Sequence, residues 1–222
     1  EGGKWLPDQD LAWILVTKAI ERVTELENEI GCFFDRNPDG TMHGKAFAGQ
    51  TFDRTVHKGD LTGIESVNRL MEQVRARPGI RQLEEHRAVA LIPSTDGASV
   101  AGALMIDIRT GGFVFSEARA VLLATGGGPT MYRYHTPSGD KSMDGLAMAL
   151  RLGLPLRDME MVQFHPTGVL AGRDTRMTGT IIEEGLRGAG GYLLDGAQER
   201  FMFKYDPRGE RATRDLVSQA MY

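Results

Sequence analysis

Thiols are almost absent: Cys32 is the single cysteine among 222 residues. The chain therefore forms no internal disulfide and builds no cysteine-rich metal site, and a lone thiol suits a reducing compartment. Long apolar runs are missing too. Stretches such as Ala118–Ala124, interrupted by Arg119, fall far short of the roughly 20 residues needed to span a bilayer. No signal-peptide pattern is visible. There is no surplus of positive charge, because 26 Lys and Arg face 30 Asp and Glu for a formal net charge of −4. With its cations scattered as well, the chain has no electrostatic footprint for nucleic acid. The dinucleotide fingerprint G-x-G-x-x-G occurs nowhere. Either no dinucleotide binds, or the strand that carries the fingerprint lies outside these residues. At 41% hydrophobic and 25% charged residues, the composition also excludes a disordered tail, a fibrous repeat and a disulfide scaffold.

Glycine, by contrast, is abundant. The chain has 28, thirteen of them between residues 126 and 191, against a usual share of about 7%. Glycine at that density implies backbone running close to a ligand or another strand.

Periodicity predicts a helix over Asp8–Ile30, with Leu11, Ile14, Leu15, Ala19, Ile20 and Val23 on one side and Gly31 as its stop. Phe33–Phe52 is turn-rich around Asn37-Pro38-Asp39-Gly40. A second helix is expected over Leu61–Ala76, ended by Pro78-Gly79. The period then changes. Runs at His86–Ile92, Val100–Ile108, Gly112–Ser116 and Ala118–Ala124, split by turn residues, read as strands. The last is continuously apolar from Ala120, as in a buried parallel strand, and runs into Thr125-Gly126-Gly127-Gly128. A short helix over Asp144–Leu152 and a final one from about Thr213, still running at Tyr222, complete the pattern.

Four places carry possible chemistry. Ala-Thr-Gly-Gly after an apolar strand is either a plain glycine turn or the point where a doubly wound sheet meets its ligand. Pro166 drives His165 towards extended backbone. That histidine is either a loop residue or a ligand presented from a stiff segment. Glu183 and Glu184 lie with Arg187 among Gly185, Gly188, Gly190 and Gly191. This is either a solvated charged turn or a local rule broken for function. Arg214 follows Thr213, a plausible N-cap. A cation there opposes the helix dipole by a few tenths of a kcal/mol, which Asp215 can offset. Asp144 at the start of its helix reads most simply as a cap.

Taken in order, these stretches resemble the flavoprotein subunit of the succinate dehydrogenase and fumarate reductase family almost end to end. The resemblance rests on Gly2-Gly3-Lys4-Trp5-Leu6 with Asp10, Phe47-Ala48-Gly49 with Arg54-Thr55, Asp60-Leu61-Thr62-Gly63, Ala124–Gly127 and Asp144-Gly145. It continues through Gln163-Phe164-His165-Pro166-Thr167-Gly168, Glu184–Gly191, Glu199-Arg200-Phe201-Met202 and Arg214-Asp215. It implies an α/β fold: the later part of a Rossmann-like FAD-binding domain over 1–158, then the start of an α+β capping domain over 159–222. It further implies that Ala124, Thr125, Gly126, Gly127 and Asp144 contact FAD, that His165 and the residue at Glu183 bind a substrate carboxylate, and that Phe47 packs on the dicarboxylate. Arg214 would move the proton while FAD exchanges hydride with the substrate, and Glu184 and Arg187 would relay protons to Arg214. No metal ligands are implied.

The implied partners are the membrane anchor subunits and the iron–sulfur subunit of a respiratory complex, at the cytoplasmic face of the membrane or in the cytoplasm. An L-aspartate oxidase-like flavoenzyme is the alternative within the superfamily, and Gly168 after His-Pro-Thr favours the succinate and fumarate enzymes. A non-catalytic binding module is the alternative outside it. Three positions depart from the family pattern: Glu183 where threonine is frequent, Ala189 within Gly-x-Gly-Gly, and Ser142-Met143 before Asp144-Gly145. The family's nucleotide-binding strand and its later substrate-clamping histidine and arginine have no counterpart here, so the chain is expected to be the middle portion of a longer flavoprotein.

Overall fold

A computed structural model describes residues 3–172 and 175–222. The elements in chain order are α1 (Gln9–Asn28), β1 (Gly44–Lys45), β2 (Thr55–Val56), α2 (Thr62–Arg75), β3 (His86–Pro93), β4 (Val100–Asp107), β5 (Phe113–Glu117), α3 (Asp144–Arg151), α4 (Glu184–Gly188) and α5 (Arg214–Met221). The fold is mixed helix and sheet. Residues 1–81 with 182–222 make one compact unit, and residues 82–181 make the other. These units are defined by packing. The division by role expected near residue 158 falls inside the second of them. Among the described residues no helix is long and apolar enough to cross a membrane.

In the first unit, α1 begins where expected. The Asp8 carboxylate accepts the backbone N–H groups of Asp10 and Leu11 at 3.0 and 3.2 Å, satisfying two donors that the first turn leaves orphaned. Gly31, at φ +89°, ends it. No residue of α1 is buried, and Leu11, Ile14, Leu15 and Ile20 all stand exposed. Capping and periodicity therefore shape this helix without a core beneath it. The Asn37–Gly40 turn forms, with Asn37 N–H donating to Thr41 O at 2.9 Å, and leads into the β1–β2 pair, in which Lys45 lies opposite Thr55. α2 matches its expected span to within a residue at each end, with Leu61 and Ala76 as its caps. The buried cluster of the unit is Met202, Ala212 and Val217, packed by Leu193, Phe201, Leu216 and Ala220.

The second unit is built on an antiparallel meander, β3–β4–β5. Its two connections turn at the Thr95-Asp96-Gly97 and Thr110-Gly111-Gly112 stretches. Arg87 pairs with Ile106 and Met105 with Val114. α3 lies against β3 and buries Gly145, Met148 and Ala149. Gly153, at φ +80°, closes it.

One expected element is absent. Ala118–Ala124 is not a strand, and Leu122 in its middle is 92% exposed. A parallel strand exists only as part of a ladder with neighbours. Both sheets among the described residues are antiparallel, and after the Ala118 N–H, which donates to Ala101 O at 2.8 Å, neither is paired with this segment. An apolar run with no partner strand stays irregular.

Candidate functional site

Glu184 opens α4, and Arg187 lies one turn later on the same face. The Arg187 guanidinium donates through Nη2 to Glu184 Oε1 at 2.8 Å, and Arg214 donates through its own Nη2 to Glu184 Oε2 at 2.8 Å. Each carboxylate oxygen is thus held by a different cation. Side-chain exposure rises along the series, from 3% at Arg187 to 13% at Glu184 and 33% at Arg214. Burial alone would push the Glu184 carboxyl up, but the Arg214 and Arg187 guanidiniums outweigh it and hold it below the ordinary carboxylate range. The three side chains carry a net charge of +1, which favours an anionic ligand. Arg214 is the first residue of α5, and Glu184 offsets the cost of a cation at that helix end. Thr213 occupies the cap position by backbone geometry, without a side-chain capping bond.

Phe47 belongs to the same unit. The Gly188 backbone packs so closely on the Phe47 segment that a Cβ there would lie 2.9 Å from Ala46 O and 3.2 Å from Phe47 Cα. Farther along, Gly49 N–H donates to Arg211 O at 2.8 Å. The Phe47-Ala48-Gly49 stretch is therefore anchored between α4 and the approach to α5. Glu183 precedes α4 and is about half-exposed, with Lys45 Nζ at 3.4 Å. Burial lowers the affinity of Lys45 for its proton, but Glu183 and Asp60 more than restore it, so its pKa is raised. Phe47, Glu183, Glu184, Arg187 and Arg214 are thus brought together within one unit.

The remaining expected site residues lie in the second unit. Ala124, Thr125, Gly126 and Gly127 are exposed, and Gly126 takes φ +71°. Their loop leans on the first turn of α3, where a Cβ on Gly145 would fall 2.0 Å from Thr125 Oγ1. Asp144 is the first residue of that helix rather than its cap, a place taken by Met143 at φ +64°. The simple capping role is therefore corrected. The Asp144 carboxylate instead accepts from Arg87 Nη2 at 2.9 Å. Exposed glycine backbone beside a helix start with an acidic side chain fits a large cofactor approached by main chain. His165 is half-buried, between exposed Phe164 and buried Pro166. Thr167 N–H donates to its Nδ1 at 3.3 Å, so the neutral ring carries its proton on Nε2, the nitrogen suited to donate to a carboxylate.

Two contributors, Lys45 and Glu210, escaped the sequence reading. Lys45 has no motif and lies 138 positions from Glu183. Glu210 is 2% exposed; its backbone O accepts from Arg187 Nη1 at 3.0 Å, and its carboxylate binds Arg200. Arg200 lies in the Glu-Arg-Phe-Met stretch, but nothing local marks its partner ten residues on.

Residues 1–222 match the FAD binding domain family. A fumarate reductase (CoM/CoB) chain of Methanothermobacter marburgensis is 41% identical over 221 residues, covering 100% of this chain and 39% of that protein. The fumarate reductase flavoprotein subunit of Escherichia coli is 36% identical over 233 residues, covering 100% of this chain and 37% of its own length. A solved variant of E. coli quinol fumarate reductase superposes with a TM-score of 0.89 at 35% identity, over 99% of this chain and 38% of that one. The chain thus spans about two-fifths of the length of these relatives. It belongs to the FAD binding domain family, its relatives include fumarate reductase flavoprotein subunits, and its cofactor is FAD.

Proposed function

We propose that this chain supplies part of the flavin site and the proton relay of an enzyme that interconverts succinate and fumarate. The observation that carries this reading is the Glu184 carboxylate shared between Arg187 and Arg214, both at 2.8 Å. Arginine keeps its proton in ordinary protein surroundings. It can act as an acid only if a neighbour restores the proton at once. Glu184 is the group in reach of Arg214, and Arg187 stands behind it. In this reading Arg214 faces the substrate carbon, its charge stabilises the carbanion character that develops there, and the proton lost passes back through Glu184. Bound FAD supplies the two-electron chemistry as hydride acceptor or donor. Ala124–Gly127 and Asp144 hold the cofactor, His165 donates through Nε2 to one substrate carboxylate, and Phe47 packs on the carbon chain.

The role boundary follows the same proposal, with residues 1–158 serving flavin and 159–222 beginning the cap over the substrate. The parent protein would be a longer flavoprotein. It would pass electrons to an iron–sulfur subunit held by membrane anchors, itself peripheral on the cytoplasmic face.

The test is Arg214→Lys in the full-length flavoprotein, assayed by dichloroindophenol reduction with succinate. Turnover should be lost while the flavin absorbance bands remain. Normal turnover in that variant removes Arg214 from the role, and a colourless wild-type protein without dye reduction overturns the enzyme reading altogether.

A further inference from the structure

Glu183 sets a problem that the relay does not solve. Its carboxylate stands beside Glu184 and next to the segment of Phe47, where an anion repels an incoming dicarboxylate. Its two oxygens lie 3.0 and 3.1 Å from the point a Cβ on Gly185 would occupy, so the glycine leaves room for the carboxylate to fold back over the start of α4.

Lys45 is the cation that meets it. Its Nζ lies 3.4 and 3.5 Å from the Glu183 oxygens and 3.4 Å from Asp60 Oδ1. The same nitrogen stands 5.8 Å from the centroid of the Phe47 ring. β1 fixes the lysine in place through its pairing with Thr55, and the side chain is only 26% exposed. The ammonium distances are long compared with the 2.7–2.9 Å typical of charge-assisted bonds. The two carboxylates keep the ammonium in place without using it up, since an ammonium has three protons to give.

We propose that Lys45 is a further substrate-binding residue: its ammonium takes the substrate carboxylate that lies against Phe47, and Glu183 holds the ammonium at that spot. This rests on the succinate–fumarate reading of the site. A lysine held by Glu183 then replaces the hydroxyl donor that the resembling family frequently carries at the position of Glu183. The class of ligand is a small dianionic dicarboxylate. Removing the lysine leaves Glu183 and Asp60 uncompensated, so ground-state binding suffers more than the chemical step.

The test uses the full-length flavoprotein with flavin bound, as wild type, Lys45→Gln, Lys45→Arg and the double variant Lys45→Gln with Glu183→Thr. KM and kcat are measured for fumarate and succinate at several ionic strengths. Lys45→Gln should raise KM about tenfold or more while kcat stays within about twofold. It should also flatten the salt dependence of KM, because a charge–charge contact has gone. Lys45→Arg should restore most of the affinity, and the double variant should bind better than Lys45→Gln alone. A KM unchanged in Lys45→Gln, with wild type active, overturns the role of Lys45. So does a fall in kcat and melting temperature without a change in KM, the signature of a purely structural lysine. A double variant no better than Lys45→Gln removes Glu183 from the account. A wild type that converts neither dicarboxylate overturns the functional reading itself.

Discussion

Arg200 lies between two aromatic rings, 4.0 Å from the centroid of Tyr192 and 4.5 Å from that of Phe203. Its guanidinium forks onto the buried Glu210 carboxylate, with Nε at 2.9 Å and Nη2 at 2.6 Å. The same carboxylate accepts Leu193 N–H at 3.2 Å, and the Glu210 carbonyl receives Arg187. A planar, stacked cation thus steadies the residue whose main chain supports the inner arginine of the relay. Substituting Arg200→Met keeps much of the stacking area but leaves a buried carboxylate without its counter-charge. The Arg200 side chain is 36% exposed, so solvent screens part of the charge, and denaturant titration should show a loss of about 1–3 kcal/mol, the cost of leaving the buried Glu210 carboxylate short of a donor. Arg200→Lys should recover only part of it, since a point ammonium neither forks nor stacks in the same way. A midpoint unchanged in Arg200→Met would mean that Glu210 finds water or another donor once the arginine is gone.

At the level of elements, the loop of Ala124–Gly127 owes its position to α3, and Gly145 is where the two meet. Gly145→Ala drives a methyl group into Thr125, whose Oγ1 would be 2.0 Å away and whose Cβ and Cγ2 would be 3.0 Å away. The Thr125 side chain must give way and press on its loop, and the expected outcome is a lower flavin-to-protein ratio in purified full-length protein, read from absorbance. Gly153→Ala is the matched control. It meets nothing within 4 Å but sits at φ +80°, so it should cost about 1 kcal/mol of stability and keep its flavin. Equal flavin content in the two variants would detach Gly145 from cofactor binding. The elements that the sequence made legible are those whose causes are local. α2 is bounded by its own periodicity and by Pro78-Gly79, and the β3–β5 meander by alternation and turn residues. Ala118–Ala124 misled because an apolar run records a wish for burial but not the presence of a neighbouring strand. The relay was readable as Glu184, Arg187 and Arg214 through resemblance alone. Its supporting groups Lys45 and Glu210 were not, since a lysine that answers a carboxylate 138 positions away leaves no local trace.

For the molecule as a whole, several carboxylates prefer their ionised form in the folded state. Hydrogen bonds from the Arg208 side chain and backbone lower Asp206 to about 2. Arg200 holds Glu210 below the ordinary range, and the paired arginines do the same for Glu184 against the opposing effect of burial. A carboxyl whose folded pKa is depressed contributes stability that is fully present above its unfolded value and is lost as pH falls through the folded one. With ordinary values of 3.8 for aspartate and 4.5 for glutamate, the melting temperature should be level above about pH 5.5 and fall steadily towards pH 2. A profile that stays level to pH 3 would contradict these assignments. The two packed units also impose an order on biosynthesis. Residues 82–181 interrupt a unit whose other parts are residues 1–81 and 182–222. On the ribosome the β3–β5 hairpins find their partners within a few tens of residues of emerging. Phe47 and Lys45 have already left the exit tunnel by then, yet Glu184 and Arg214 must still be translated before they can meet. The charged centre is therefore completed only after the second unit has been translated, and until then Asp60 is the carboxylate that Lys45 has at hand.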